Sequence, residues 1–319
     1  MGTVSGNNIL IVGAAGMLGR ALAGRLRKKG QAVAGVWRNQ NSHAPTHPGA
    51  AGGYAINGAD PKMIRELFEK ARPVSVINCA AYSDVDGCER DPERAHASNA
   101  LLVKYLALSC SQNNIPLVHV STDYVFDGRK SAPYTEKDPT APVNIYGLTK
   151  LEGEYYALGS SAPSAVVRTS WLFGAGNPKN FVNYIVERLR KENIVSVLDD
   201  QVDSPTYVED LSEALEKIST HLISLKSRPA LGKKGNVFHV CNTGSATRYE
   251  MTLKIKEWLS LKDVQVQKTD KARIPNRDAI RHAYGVMSTA HYCDVFRTRL
   301  RSWEEALRAY LNEEVLCAS

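Results

Sequence analysis

Residues 8–30 read NILIVGAAGMLGRALAGRLRKKG, and the order of residue types in this stretch decides the fold. NILIVG is a short apolar run ending at Gly13, the pattern of a buried strand. MLGRALAGRLRKKG then sets Leu18, Leu22 and Leu26 on one face of a helix that Gly30 ends. Between the two, GAAGMLG spaces Gly13, Gly16 and Gly19 as G-x-x-G-x-x-G. Glycines in such a turn let the chain reverse sharply, let its backbone approach a pyrophosphate, and let helix pack on strand. The helix N-terminus adds free N–H groups and the positive end of its dipole. A glycine-rich turn can exist without a ligand, but a strand before it and a helix after it point to a dinucleotide, with Gly13, Gly16, Met17 and Leu18 against it.

Outward from this unit the alternation continues. AVAGVW reads as a strand, RNQNSHAPTHPGAAGG as a polar loop, and DPKMIRELFEKARP as a helix opened by Asp60 and Pro61. VSVINCAA, PERAHASNALLVKYLALSCSQNN and PLVHVST follow as strand, helix and strand. Repeated strand–helix units predict an α/β fold with a doubly wound parallel sheet of Rossmann type, covered on both faces. AVVRTSWLFG and NVFHVCNTG read as further strands, while the last ~75 residues are more irregular and polar. The expected division is a dinucleotide-binding domain over residues 1–168 and 207–242, and a smaller C-terminal substrate-binding lobe over 169–206 and 243–319.

An Asp or Glu ending the second strand would bind the 2′-hydroxyl of NAD. Here that strand runs into Arg38 and Asn39, and Arg20 follows the last glycine. Guanidiniums suit a 2′-phosphate, so NADP(H) is expected, with NAD(H) the alternative if both arginines are ordinary surface residues. The chain has 319 residues, 43% of them hydrophobic, enough for a sizeable core. A net charge of +7 comes from scattered Lys and Arg without a basic run, which favours an anionic small molecule over nucleic acid. Six cysteines without Cys-x-x-Cys spacing suggest neither a zinc site nor a disulfide framework. The start, MGTVSGNN, lacks a signal pattern, and no apolar run approaches the roughly 18 residues of a membrane span, so a cytoplasmic protein is expected.

NIYGLTKLEGE, Asn144 to Glu154, sets Tyr146 and Lys150 one turn apart on the same helix face. Alone, this pair is equally a solvated surface. STDYVFDG, Ser121 to Gly128, supplies its setting, because it begins at the C-terminal end of a predicted parallel strand, where open α/β sheets bind ligands. Thr122 can hydrogen-bond a carbonyl, Tyr146 can give its phenolic proton to the oxygen, and Lys150 can favour the phenolate and hold a ribose.

These stretches, with VINCAAYSDVDGCERDPERAHASNA, PYTEKDPTAPVNIYGLTKLEGE, VVRTSWLFG, NFV and DDQVDSPTYVEDL, resemble the extended short-chain dehydrogenases/reductases, and within them the dTDP-4-dehydrorhamnose reductase branch, over roughly residues 8 to 212. The resemblance implies a catalytic trio of Thr122, Tyr146 and Lys150. It implies a cofactor lining that includes Ala80, Ala81, Tyr82 and Asn99, and a nucleotide-sugar site that includes Asp123, Tyr124, Trp171, Asn180 and Gln201. Ser204, Pro205 and Thr206 match a loop that shapes the substrate pocket. The activity implied is NADPH-dependent reduction of a 4-keto nucleotide-sugar, by a monomer or homodimer. An epimerase, or a regulatory subunit resembling the β subunit of methionine adenosyltransferase, are the alternatives. Two departures stand out. Ala21 occupies a position where some members carry a magnesium-binding Glu, so no metal is expected. HAYGVMSTAHY departs from the family's C-terminal pattern at a substrate-touching segment; Arg273, Arg277 and Arg281 nearby could meet a diphosphate, but scattered on a polar segment they read as solvent-facing and are left out of the site.

Overall fold

The computed structural model describes residues 8–38, 53–56, 58–177, 180–226, 236–269 and 278–316, with Arg38 and residues 314–316 described by backbone alone. The opening unit folds as its pattern dictates: β1 (Asn8–Val12), a glycine turn, and α1 (Met17–Lys28). Then come β2 (Val33–Arg38), β3 (Gly53–Ile56), α2 (Pro61–Ala71) and β4 (Pro73–Asn78). The short helices α3 (Val85–Arg90) and α4 (Pro92–His96) lead through a π-helical turn, Ala97–Leu101, into α5 (Leu102–Asn113). β5 (Leu117–Thr122), α6 (Ile145–Leu158) and β6 (Ser164–Thr169) complete this half. Asp60 caps α2, its carboxylate accepting from Lys62 N at 2.8 Å, and Pro61 fills the first turn.

After β6 the chain makes β7 (Leu172–Phe173), α7 (Phe181–Lys191), β8 (Ile194–Leu198), β9 (Val202–Asp203) and β10 (Thr206–Tyr207). It returns through α8 (Val208–Lys226) and β11 (Asn236–His239). It closes with β12 (Ala246–Thr247), α9 (Arg248–Trp258), β13 (Gln265–Thr269), α10 (Ala290–Phe296) and α11 (Trp303–Tyr310). The last stretch is therefore more ordered than its polar composition suggests: α9 and α11 each start on a full capping box, Thr247 with Glu250 and Ser302 with Glu305.

Seven parallel strands form the main sheet in the order β11-β6-β5-β4-β1-β2-β3. β3, absent from the sequence expectation, extends the edge beside β2. Burial explains the near-continuous apolar strands: Ile9 and Ile11 pack into one core with α1 and α8, whereas Leu10 and Val12 pack into the other with α2 and α5. The sheet order reverses between β1 and β4, and a crevice opens there at the carboxyl ends of the strands. Outside the sheet, β7 pairs with β10, β9 with β12 and β8 with β13. Among the described residues no helix is long and apolar enough to cross a membrane.

A buried ion pair fixes α6 against the sheet. Arg168 of β6 meets Glu154 twice, at 2.9 and 2.7 Å, and Ser121 of β5 donates to the same carboxylate at 2.5 Å. Both side chains are almost inaccessible, at 6% and 2%. The pair ties α6 to β5 and β6 one turn beyond Lys150.

Candidate active site

The glycine turn shapes the first part of the crevice. Gly13 has φ +85°, a left-handed conformation, and a Cβ there would sit 2.7 Å from Ala80 N, so only glycine brings the two loops this close. A Cβ on Gly19 would strike the Gly13 carbonyl oxygen. Gly13, Gly16, Arg20, Val36, Cys79, Ala80 and Ala81 line a cavity of about 460 Å³. Asn99 stands behind this wall: its Oδ1 accepts from Tyr82 N at 2.8 Å, and its Nδ2 donates to Tyr82 O at 3.1 Å and Thr149 Oγ1 at 3.2 Å. The π-helical turn that carries Asn99 thus braces the 80–82 loop, while its neighbours Ala97 and Ser98 reach the cavity. The Arg38 side chain and Asn39 lie outside the described residues, whereas Arg20 reaches the cavity wall. Ala21 packs against the core.

Beside it, a second cavity of about 470 Å³ collects Met17, Leu18, Thr122, Asp123, Tyr124, Tyr146, Lys150, Trp171 and Asn180. The sequence motifs thus converge, although they come from separate elements. Burial pushes the Tyr146 phenol well above its ordinary pKa; a hydrogen bond with Thr122 favours ionisation and the Asp123 charge opposes it. Lys150, only 2% exposed, donates to Val120 O at 2.6 Å and lies 3.4 Å from His119 Nε2. Burial lowers its pKa to about 8, against the pull of Glu154 and Cys79. The Ala80 N–H donates to Asn78 Oδ1 at 3.1 Å, which turns the Asn78 amide nitrogen toward His119 Nδ1, also at 3.1 Å. Burial and then the Lys150 charge keep His119 neutral. One feature departs from expectation: the Thr122 hydroxyl donates to Asp123 Oδ1 at 2.8 Å, so its single hydrogen is shared between Asp123 and any oxygen in the cavity.

A third cavity of about 610 Å³ adjoins the second through Trp171, Leu172 and Arg248. Its wall carries Arg188, Arg248 and Arg281 with Asp86. Arg281 is a correction to the sequence reading: it is largely buried and forms a two-point pair with Asp86 at 2.6 and 2.5 Å. Arg273 and Arg277 lie outside the described residues. Trp171 has φ 41°, a strained conformation for a bulky residue, and its buried indole N–H has no hydrogen-bond partner among the described residues. The Arg248 guanidinium stands 4.5 Å from the Trp171 ring and 4.8 Å from Phe181. Asn180 caps α7 through Asn183 N and donates to Gly174 O and Asn177 O, so it shapes the cavity by holding its loop. Gln201 donates to Tyr124 OH at 3.4 Å and His282 O at 3.2 Å. Ser204 and Thr206 are buried, Thr206 N donating to Trp171 O at 3.2 Å, so this loop supports Trp171 from behind.

Beneath the second cavity sits a cluster that the sequence did not reveal. His282 Nε2 lies 3.2 Å from Asp123 Oδ2 and 3.0 Å from Asp203 Oδ1, all three side chains being nearly inaccessible. The signal available was the departure of the C-terminal segment from the family pattern, but the two carboxylates that give it meaning lie far away along the chain.

Comparison with known proteins agrees with this architecture. The chain is 35% identical over 306 residues to the dTDP-4-dehydrorhamnose reductase of Mycolicibacterium smegmatis, covering 96% of this chain and 85% of the relative. It is 32% identical over 305 residues to the spore coat polysaccharide biosynthesis protein SpsK of Bacillus subtilis, covering 96% of this chain and 97% of that one. The crystal structure of dTDP-4-dehydrorhamnose reductase from Bacillus anthracis in complex with NADP superposes with a TM-score of 0.80 at 28% identity, over 97% of this chain and 99% of that one. The RmlD substrate binding domain model matches residues 7–316, and the chain belongs to that family.

Proposed function

We propose that this protein is an NADPH-dependent reductase of a 4-keto nucleotide-sugar, converting dTDP-4-dehydro-L-rhamnose to dTDP-L-rhamnose. The observation that carries the reading is the meeting of Thr122, Tyr146 and Lys150 where the glycine-walled cavity opens toward the arginine-lined one. The glycine cradle fits a dinucleotide, because Gly13 and Gly19 let the turn close on Ala80 and on itself where a Cβ would clash, which leaves Gly16 and the first turn of α1 at the cavity wall. Gly13, Gly16, Met17 and Leu18 would hold the pyrophosphate side, Arg20 and Arg38 a 2′-phosphate, and Ala80, Ala81 and Tyr82 the adjoining face, with Asn99 as brace. When bound, the reduced nicotinamide supplies a hydride to the keto carbon.

The chain's own part is proton delivery and positioning. Tyr146 keeps its proton at neutral pH because burial raises its pKa, and it gives that proton to the keto oxygen as the oxygen gains charge. Lys150, held on Val120 O, supplies positive potential to the phenolate that remains. Thr122 steadies the oxygen. Trp171, whose N–H has no partner among the described residues, and Tyr124 cover the sugar, while Arg248, Arg281 and Gln201 meet the nucleotide diphosphate. We also assign residues 1–168 and 207–242 to the dinucleotide half and 169–206 and 243–319 to the substrate lobe. Supporting this, β11 joins the main sheet and α8 packs on α1, while β7, β8, β9, β12 and β13 pair outside that sheet.

The test is loss of NADPH absorbance with purified protein and dTDP-4-dehydrorhamnose prepared in situ. Loss that needs both the sugar and Tyr146 is expected. Tight NADPH binding without turnover would overturn the reading and direct attention to a partner enzyme; interconversion of sugars without net release of oxidised cofactor would identify an epimerase.

A further inference from the structure

Once the keto oxygen has been protonated and no longer needs it, the one hydrogen of the Thr122 hydroxyl has two claimants. In this structure it points to Asp123 Oδ1 at 2.8 Å, while Thr122 is also the hydrogen-bond partner of Tyr146. Once Tyr146 has given its proton away, the hydrogen is needed at the phenolate, and turning it there leaves a buried carboxylate behind. Asp123 Oδ2 keeps two partners when that happens, Ser170 Oγ at 3.1 Å and His282 Nε2 at 3.2 Å. Asp203 Oδ1, at 3.0 Å, holds the imidazole from the far side. The Nδ1 atom has no partner among the described residues, so the hydrogen bonding of the His282 ring is directed at these two carboxylates. The local chain is built around it: a Cβ on Gly285 would strike Asp203 Oδ1 and His282 Nε2 and lie 2.8 Å from Asp123 Oδ2, so the ring fits only because residue 285 is glycine. Among the described residues, Tyr124 also packs on the ring, at 4.5 Å between centroids, and Arg281, its chain neighbour, is already paired with Asp86.

We propose that His282 is a positioning residue for the reduction: its imidazolium holds Asp123 as an ion in place, so that the Thr122 hydrogen can pass from Asp123 to the Tyr146 oxygen. This role rests on the reductase reading. It gives the divergent C-terminal segment a task at the proton donor, carried by His282 and Gly285 together. The His282 pKa, raised to about 10 by the two carboxylates against the effect of burial, accords with a charged ring.

Two measurements test it. In nitrogen-detected NMR of the whole protein labelled at histidine, the His282 ring should stay doubly protonated at about pH 8, where a free imidazole with a pKa of about 6.5 is almost wholly neutral. A ring that is neutral at that pH overturns the proposal. In kinetics, His282→Gln removes the charge and Gly285→Ala displaces the ring with His282 intact, which separates the role from a folding failure of either variant. Both should lower kcat about tenfold or more, with NADPH Kd and keto-sugar KM within about twofold, and both should change the pH profile of kcat near neutrality as Asp123 and Asp203 come to share a proton. Unaltered kcat in folded variants overturns the role alone. Wild-type protein that reduces no keto-sugar overturns the reductase reading, and the role falls with it.

Discussion

Replacing Lys150 with Met should abolish activity yet make the cofactor-free protein more stable at neutral pH. The ammonium is about 2% exposed, and its pKa falls from 10.5 to about 8 on folding. A fall of that size means that the folded state disfavours the charged form by about 3 kcal/mol. Below about pH 8 both the folded and unfolded chains hold the proton, so this penalty is present in full. Between about 8 and 10.5 the unfolded chain binds more protons than the folded one, so the stability contribution rises with pH until the penalty disappears. Methionine removes the charge but leaves Val120 O without its 2.6 Å donor, which costs about 1–2 kcal/mol. The net expectation at pH 7 is a gain of about 1–2 kcal/mol, a rise of roughly 2–4 °C in Tm for a chain this long. Denaturant unfolding of both proteins without cofactor, at pH 7 and again above pH 10, measures it. The gain should vanish or reverse at the higher pH, while kcat falls by roughly a hundredfold or more at either. A variant less stable than wild type at pH 7, by the same amount at both pH values, would refute the reasoning and mean that Lys150 is accommodated at no cost.

Tyr146→Phe should reduce kcat by about 10²–10⁴ with NADPH Kd within about twofold, since only the proton donor is lost; an unchanged rate in the NADPH assay would remove Tyr146 from the mechanism. Glu154→Gln should cost about 3–5 kcal/mol in urea unfolding, because it leaves Arg168 buried at 6% exposure without its anion. A cost under about 1 kcal/mol would mean that the pair is not what locks α6 to the sheet. Arg38→Asp should lower the NADPH-to-NADH ratio in kcat/KM by about tenfold or more, and an unmoved ratio would shift the 2′-phosphate contact to Arg20.

Much of this molecule is written locally. Short apolar runs became β1, β4 and β5, the first of them ended by Gly13, the leucines of α1 face the core, and Asp60 with Pro61 starts α2. Tyr146 and Lys150 share a helix face because a helix repeats every 3.6 residues, whatever surrounds it. Thr122 stands at a strand end because parallel strands deliver their carboxyl ends to the crevice. Signals of this kind act over a few residues, within reach of propensity and periodicity. Short strand β3 escaped because its four residues carry too little pattern and gain their place from pairing with β2.

What the order of residues left open is what depends on distance through space. Arg281 reads as solvent-facing until the fold brings Asp86 to it across 195 positions. His282 is an unremarked residue in a divergent segment until Asp123 and Asp203 stand on either side of it, and Gly285 reads as an ordinary loop glycine until a Cβ there is seen to meet all three. Asn99 reads as a cofactor contact until it is found bracing Tyr82 from behind. The sequence by itself determined the strand–turn–helix units, the glycine turn among them, and the places of Thr122, Tyr146 and Lys150 on their elements, because each rests on local geometry. Only the tertiary structure decided the burial and pairing of the groups beneath them, because both exist only once distant segments have displaced the water between them.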